Sequence, residues 1–449
     1  MGFAAGLMLG GSSLAYGQTL QEALVAAYSN NPTLGAQREA LKATDEGVPQ
    51  ALSGWRPTVT LSESYGRSAV DFQNNPNGRP DLVLHPNTTT LSVGQPLYRG
   101  GRTTAQTKSA EALVQAGRAT LGNTEQAVLL QVVTSYMDVL RDQAVLELTR
   151  NNEQVLNRQL DAARDRFRVG EITRTDVSQA ESRRSRSTSD RVTAEGNLAS
   201  SRAVFVRAVG QPATNLTPPP PLTGLPTTQE QALSIGLEEN PQLIAAKYTE
   251  ESSKHDIRTV SGALLPTVSL NGNVSRTSEA STVADLQSTV ASVVGQISVP
   301  LYEAGNTYSQ VRQRRQINSQ RIVQVEETSR NVRQAIVQAW ENLTTARATI
   351  VSRQAQVAAA RVALDGVTQE AQVGSRTTLD VLDSEQELLD ASVSLVRAQR
   401  DEFVASYTLQ SAMGRLTARN LALPVQLYDP AENYNRVRDK WWGTDGGLN

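Results

Sequence analysis

The sequence predicts a mainly α-helical, internally duplicated chain that also carries membrane-type β-structure: four strands and two long coiled-coil helical hairpins. Three observations predict this. Distinctive motifs recur at a nearly constant spacing along the chain. Two helix patterns run on without a break signal for about 65 residues, several times an ordinary globular helix. Just ahead of each lie two segments of alternating apolar and polar residues, the mark of a strand with two unlike faces.

The duplication is read directly. TLQEALVAAYSNNPTLGAQ at Thr19 matches TQEQALSIGLEENPQLIAA at Thr228, placing Asn31-Pro32 on Asn240-Pro241. Pro57-Thr58-Val59 returns as Pro266-Thr267-Val268. Pro96-Leu97-Tyr98 returns as Pro300-Leu301-Tyr302, Val169-Gly170 as Val373-Gly374, and Asp176 as Asp380. The offset shortens once, between Pro57 and Pro96, in the loop-like segment AVDFQNNPNGRPDLVLHPN. Beyond it the register holds, as expected of length-critical helices, because loops absorb insertions and packed helices do not. The proline run in PATNLTPPPPLTGLPTTQ is a stiff linker between the halves. The expected organisation is residues 1–17 as a signal peptide, 18–209 and 228–416 as repeats, 210–227 as linker and 417–449 as a tail.

Each half then reads in the same order. The first opens with a helix from Leu20 to Tyr28 and a second from the Asn-Pro step to about Leu52. A strand follows from Thr58 to Tyr65, with Val59, Leu61 and Tyr65 on one face and Thr60, Ser62 and Ser64 on the other. A second strand, Thr89 to Tyr98, alternates through Leu91, Val93 and Leu97. The second half supplies Val268, Leu270 and Val274, then Val293, Ile297 and Val299. After Gly100-Gly101 and after Gly305 the long helices begin. Leu130, Val133, Met137, Leu140 and Ala144 step by three and four, as do Val332, Ile336, Ala339, Leu343, Ala346 and Ile350, which are coiled-coil seams. Past each Val-Gly turn a helix returns, to about Val209 and Leu416.

Composition narrows the function. The formal net charge of −2 lacks the basic footprint of a nucleic-acid binder. Cysteine is absent and aromatics make up 4%, so a structural zinc site is not expected and long helices with small faces are favoured. His85 and His255 have no partner at metal-ligand spacing. Neither a phosphate-binding loop nor a nucleophile elbow is present, so no enzyme and no cofactor is expected. The apolar run from Phe3 to Leu14, followed by Ala15-Tyr16-Gly17, predicts export with cleavage before Gln18, although no Lys or Arg precedes the run.

Four strands cannot close a barrel, and open strand edges are untenable in lipid. A membrane barrel needs at least eight strands, so several protomers must pool theirs, and the simplest count is three. The tandem halves, the junctions QPLYRGG and VPLYEAGNT and the turn VGSRTTLDVLD together resemble the TolC family of outer-membrane efflux and secretion ducts, from about Thr19 to Leu416. The resemblance implies a homotrimer in the outer membrane of a Gram-negative bacterium, with a 12-stranded barrel, an α-helical barrel through the periplasm and an equatorial girdle. It implies a periplasmic adaptor (membrane-fusion) protein and an inner-membrane RND or ABC transporter as partners. The lack of cysteine sets the chain apart from the lipidated branch.

By the same resemblance, Val169, Gly170, Val373 and Gly374 are hairpin tips at the periplasmic entrance, where partners dock. Arg376 is implied to reach Thr175 and Asp176 of a neighbouring protomer and hold the entrance closed. Asp380 and Asp383 match inward-facing acidic rings at the constriction; carboxylates at i and i+3 share a helix face. Ala371 stands where relatives carry a latching tyrosine. The loops from about Ala69 to Asn87 and from Ser278 to Asp285, remote from the helices, are expected to face the cell exterior. The alternatives are a helical protein with two incidental β-hairpins and a periplasmic coiled-coil adaptor or scaffold; the latter needs only one hairpin and a compact β-domain.

Overall fold

The computed structural model describes residues 17–70, 82–279 and 287–445. The expected signal peptide, except Gly17, and most of both exterior loops lie outside them. By its internal contacts the chain forms two compact units, and both halves contribute to each. One unit comprises Glu39–Ala119, Ile244–Thr328 and Asp429–Asn449, and the other Met1–Arg38, Thr120–Leu243 and Ser329–Tyr428.

The recurring Asn-Pro step has a physical reason. Helix α1 (Leu20–Asn30) starts at a Thr19/Glu22 capping box. Asn31 follows it and caps α2 (Pro32–Asp45), its side-chain oxygen lying 2.9 Å from the Thr33 N–H. Pro32 occupies the first helical position, where a missing N–H is harmless. The amide of Asn31 donates at 3.0 Å to the carbonyl of Ala208. In the second half Asn240 does the same for its helix, and its amide donates at 2.9 Å to Ala412. One residue thus caps one helix and ties down the end of another, twice.

The second helix of the first half does not run unbroken to Leu52. It stops at Asp45, and a short α3 (Gly47–Leu52) follows. Pro49 has no N–H for the Asp45 carbonyl, so the ladder fails there.

The strands are β1 (Thr58–Tyr65), β2 (Ser68–Val70), β3 (Leu82–Leu84) and β4 (Asn87–Arg99), then, after α4 (Arg102–Arg168), α5 (Arg174–Val209), α6 (Gln229–Glu239) and α7 (Pro241–Ser261), β5 (Thr267–Ser278) and β6 (Gln287–Ser298). Four of them form one sheet in the order β1-β4-β5-β6, with antiparallel neighbours. The small β2-β3 pair extends the first strand connection and is not foreseen from the alternation. Register sorts the side chains by face: Val59 lies opposite Val93, Leu61 opposite Leu91, Leu91 opposite Val274, and Val268 opposite Ile297. The other face carries polar rungs, Thr88–Thr277 at 3.3 Å, Thr90–Ser275 at 3.2 Å and Ser92–Asn273 at 3.0 Å. Pro96, which cannot donate to a ladder, coincides with a bulge that leaves Leu97 unpaired.

From β4 the chain enters α4 through Gly100 and Gly101, at φ +62° and +73°. A Cβ on Gly100 would stand 2.1 Å from the Gly262 carbonyl oxygen, and one on Gly262 would stand 2.4 Å from that of Gly100. Backbone meets backbone at this junction, and only glycine fits. Helices α4 and α8 (Asn306–Gln372) are 67 residues each, roughly 100 Å at about 1.5 Å per residue. The return helices are α5 and α9 (Thr378–Ala412). In the hairpin unit the buried ring of Tyr136 packs against Phe205, and its hydroxyl lies 2.8 Å from the carbonyl of Gln18 and 2.7 Å from that of Thr217. The start of the described chain and the proline linker are thereby held to the bundle. A short α10 (Glu432–Val437) completes the tail. Among the described residues no helix is long and apolar enough to cross a membrane.

Candidate functional site

The two Val-Gly turns are built alike. At the first, the Glu171 N–H donates to Arg166 O at 2.9 Å and the Gly170 N–H to Phe167 O at 3.0 Å. At the second, Ser375 N–H donates to Glu370 O at 2.9 Å and Gly374 N–H to Ala371 O at 3.2 Å. These paired bonds are the Schellman closure, which needs a left-handed residue; Gly170 and Gly374 supply it at φ +79° and +80°. Val169 and Val373 are 79% and 81% exposed, so each tip presents a bare apolar side chain. Beneath the first tip Leu160, Ala163 and Ala180 form a small core against which Ile172 and Val177 pack.

Each return helix starts from a capping box. Thr173 donates its N–H and hydroxyl to Asp176 Oδ2 at 2.9 and 2.8 Å, and the Asp176 N–H returns to the Thr173 hydroxyl at 3.4 Å. Thr377 and Asp380 repeat this at 2.9, 2.8 and 3.3 Å. The backbone N–H of Thr173 and of Thr377, followed by the hydroxyls, holds both carboxyls below the usual aspartate range. The sequence pattern Thr-x-x-Asp ahead of a helix is the signal for such a box. Reading these aspartates only as latch and ring residues missed it.

The remaining expected residues are distributed as follows. Arg376 is exposed and pairs within its own chain, its Nε 2.8 Å from Glu370 Oε2. Thr175 is exposed beside Asp176. Asp383 forms a close ion pair with Arg183, joining α9 to α5. Two carboxylates of the second tip are therefore engaged within the chain, Asp380 by its cap and Asp383 by Arg183. Two residues beyond Asp383 on α9, burial pushes the Glu385 carboxyl up, opposed by the charge of Arg158. Glu370, Arg183 and the two cap threonines are the tip residues the sequence reading did not single out.

The family model described as outer membrane efflux protein matches the chain twice, over residues 23–211 and 232–415. Outer membrane efflux protein BepC of Brucella suis is 36% identical over 447 residues, covering 98% of this chain and 96% of that protein. Outer membrane protein TolC of Escherichia coli is 26% identical over 433 residues, covering 93% and 86%. In fold, the crystal structure of the outer membrane protein VceC from Vibrio cholerae superposes with a TM-score of 0.75 at 20% identity, over 88% of this chain and 96% of that one.

Proposed function

The chain belongs to the outer membrane efflux protein family, and from that premise we propose that three copies close one duct from the periplasm to the cell exterior. As a member it is an outer-membrane channel and not an enzyme. The observation that carries the trimer is the sheet. One face is mostly apolar, with a Glu63–Thr89–Arg276 rung near its far end. The other is mostly hydroxyl and amide rungs, with Val290 and Val294 among them, and β1 and β6 are edges with no further strand paired to them among the described residues. Lipid tolerates the apolar face and rejects the edges, because an unpaired backbone group there costs several kcal/mol. Pairing β1 of one copy with β6 of the next removes every edge, and three copies give twelve strands, an even number within the range of bacterial barrels. The polar rungs then line water. Native mass spectrometry from lipid nanodiscs should give three times the mass of one mature chain. A conducting monomer or dimer would overturn the reading.

In this reading the entrance lies at the hairpin tips. Arg376 of one protomer engages Thr175 and Asp176 of its neighbour in the closed state, and Asp380 and Asp383 form acidic rings behind it. The Schellman turns and capping boxes support this by fixing the backbone on which these side chains stand. Arg376 has to exchange its own Glu370 for the neighbour, so the latch is a competition between two partners of like charge. With no nucleotide loop in the chain, transport is driven by an inner-membrane RND or ABC transporter joined through a periplasmic adaptor at the tips, where Val169 and Val373 are bare. Photo-crosslinkers placed at these valines should capture the adaptor during export. Capture confined to other faces of the hairpins would remove the tips as docking site.

A further inference from the structure

The tail carries two large exposed indoles that the duct does not explain. Trp441 and Trp442 are 64% and 87% exposed, yet the segment bearing them is firmly held. Asn433 donates to the buried Asp45 carboxylate at 2.8 Å, and the Arg118 guanidinium lies 5.4 Å from the Tyr434 ring centre. Arg56 donates to the Lys440 carbonyl at 2.6 Å and stands 5.1 Å from the Trp441 ring centre. Beyond them the chain turns through Gly443 at φ +99°, and Lys440 reaches the Asp445 carboxylate at 2.8 Å.

The place where the tail is pinned gives the indoles a meaning. Arg56 lies two residues ahead of β1, at the end of the sheet where α4 begins, and just below the exposed apolar residues Val59 and Leu61. Trp55 sits at the same rim, its carbonyl accepting from the Gln95 side chain of β4 at 2.9 Å. Three tryptophans, Arg56 and Lys440 are thus gathered where an apolar sheet face ends. Indoles beside cations at such a boundary match a phospholipid headgroup layer: the ring partitions into the interface, its N–H stays wet, and the cations meet phosphate. We propose that Trp441 and Trp442 anchor the tail in the headgroup layer of the periplasmic leaflet of the outer membrane. The proposal rests on the reading that the apolar sheet face meets lipid.

The test uses the full chain in phosphatidylethanolamine/phosphatidylglycerol vesicles. The protein has four tryptophans, so Trp55→Phe with Trp340→Phe leaves the tail pair as the only indoles. Nitroxide lipids labelled near the headgroup should quench their fluorescence about twofold more than lipids labelled at the chain end, as interfacial residence requires. Aqueous acrylamide should quench weakly. Strong acrylamide quenching without lipid quenching would place the pair in water or on a periplasmic polymer. Protection from every quencher would place it against a neighbouring protomer. Either result overturns the anchor. Leu61→Trp, in a chain whose four native tryptophans are all replaced by phenylalanine, separates the two readings: it should be quenched from the chain end, and if it is not, the lipid-facing sheet itself fails. Should the Trp55 change prevent folding, a spin label on Thr444→Cys is unique in this cysteine-free chain. Collision with oxygen exceeding collision with an aqueous nickel chelate supports the anchor, and the reverse overturns it.

Discussion

Thr377→Ala is the most direct probe of the proposed gate. The Thr377 hydroxyl makes two of the three bonds of its capping box, to Asp380 Oδ2 and from the Asp380 N–H. Losing a threonine cap costs about 1 kcal/mol, with measured cases from about 0.5 to 2. The first turn of α9 then frays, and with it the placement of Arg376, the residue immediately before the cap. Three protomers acting together give about 3 kcal/mol against the closed state. That shifts the closed-to-open ratio on the order of a hundredfold, short of the ten-thousandfold, about 5.5 kcal/mol, that fully inverts a 1:99 equilibrium. Single-channel recording in planar bilayers should show more frequent opening of the isolated trimer with unchanged full-open conductance. Thr377→Ser restores the hydroxyl and should restore the wild-type record. If Thr377→Ala behaves as wild type while Arg376→Ser opens the channel, the cap plays no part in closing and the argument fails.

Arg376→Ser should raise resting conductance, whereas Glu370→Gln, which frees Arg376 from its partner at 2.8 Å within the chain, should lower it; a rise with both changes would contradict a latch to the neighbour. Asp380→Asn combined with Asp383→Asn should weaken cation preference, read as a reversal-potential shift in a salt gradient. In the wild type the Thr377 N–H and hydroxyl keep the folded Asp380 below the ordinary value of 3.8. Its cap is therefore fully present above 3.8 and is lost as pH falls through the lower folded value, so its share of the selectivity should survive acidification to that point. Gly101→Ala meets no neighbour and pays only for φ +73°, about 1–2 kcal/mol. Gly100→Ala also drives a Cβ to 2.1 Å from a carbonyl oxygen, and should lower the melting temperature of the protein further than Gly101→Ala does.

What was legible in the sequence followed from periodicity. Strand β1 occupies Thr58–Tyr65, as alternation predicts, and α5 ends at Val209. The long helices begin after the glycine turns, because their seams repeat over many turns and no breaker interrupts them. Legibility failed where one residue decides locally. Pro49 divides a helix that periodicity carried through it. The β2–β3 pair is three residues on each side, too short for alternation to register. The pairing of β4 with β5, which fuses two hairpins into one sheet, depends on a contact between halves that no local pattern encodes. At the tips the turns were legible from Val-Gly, but Glu370 and Arg183 were not. Their partners lie six residues and 200 residues away, and only the folded hairpins bring them together.

The equal length of α4 and α8 bears on how such a chain can change over time. Each residue advances a helix by about 100° around its axis. Removing one residue from α4 alone would swing every side chain beyond the cut out of phase with its partners, down to the turn at Gly170. The same cut in α8 would do so down to Gly374. Drift in either helix is therefore confined to substitution, and a change of reach has to occur in both copies together, in steps that restore the azimuth. Seven or eleven residues come close, since each spans nearly whole turns. Because α5 and α9 return to ends tied by Asn31 and Asn240, grafting matched blocks of that size into all four hairpin helices is the route by which a duct of this kind can be refitted to a wider periplasm.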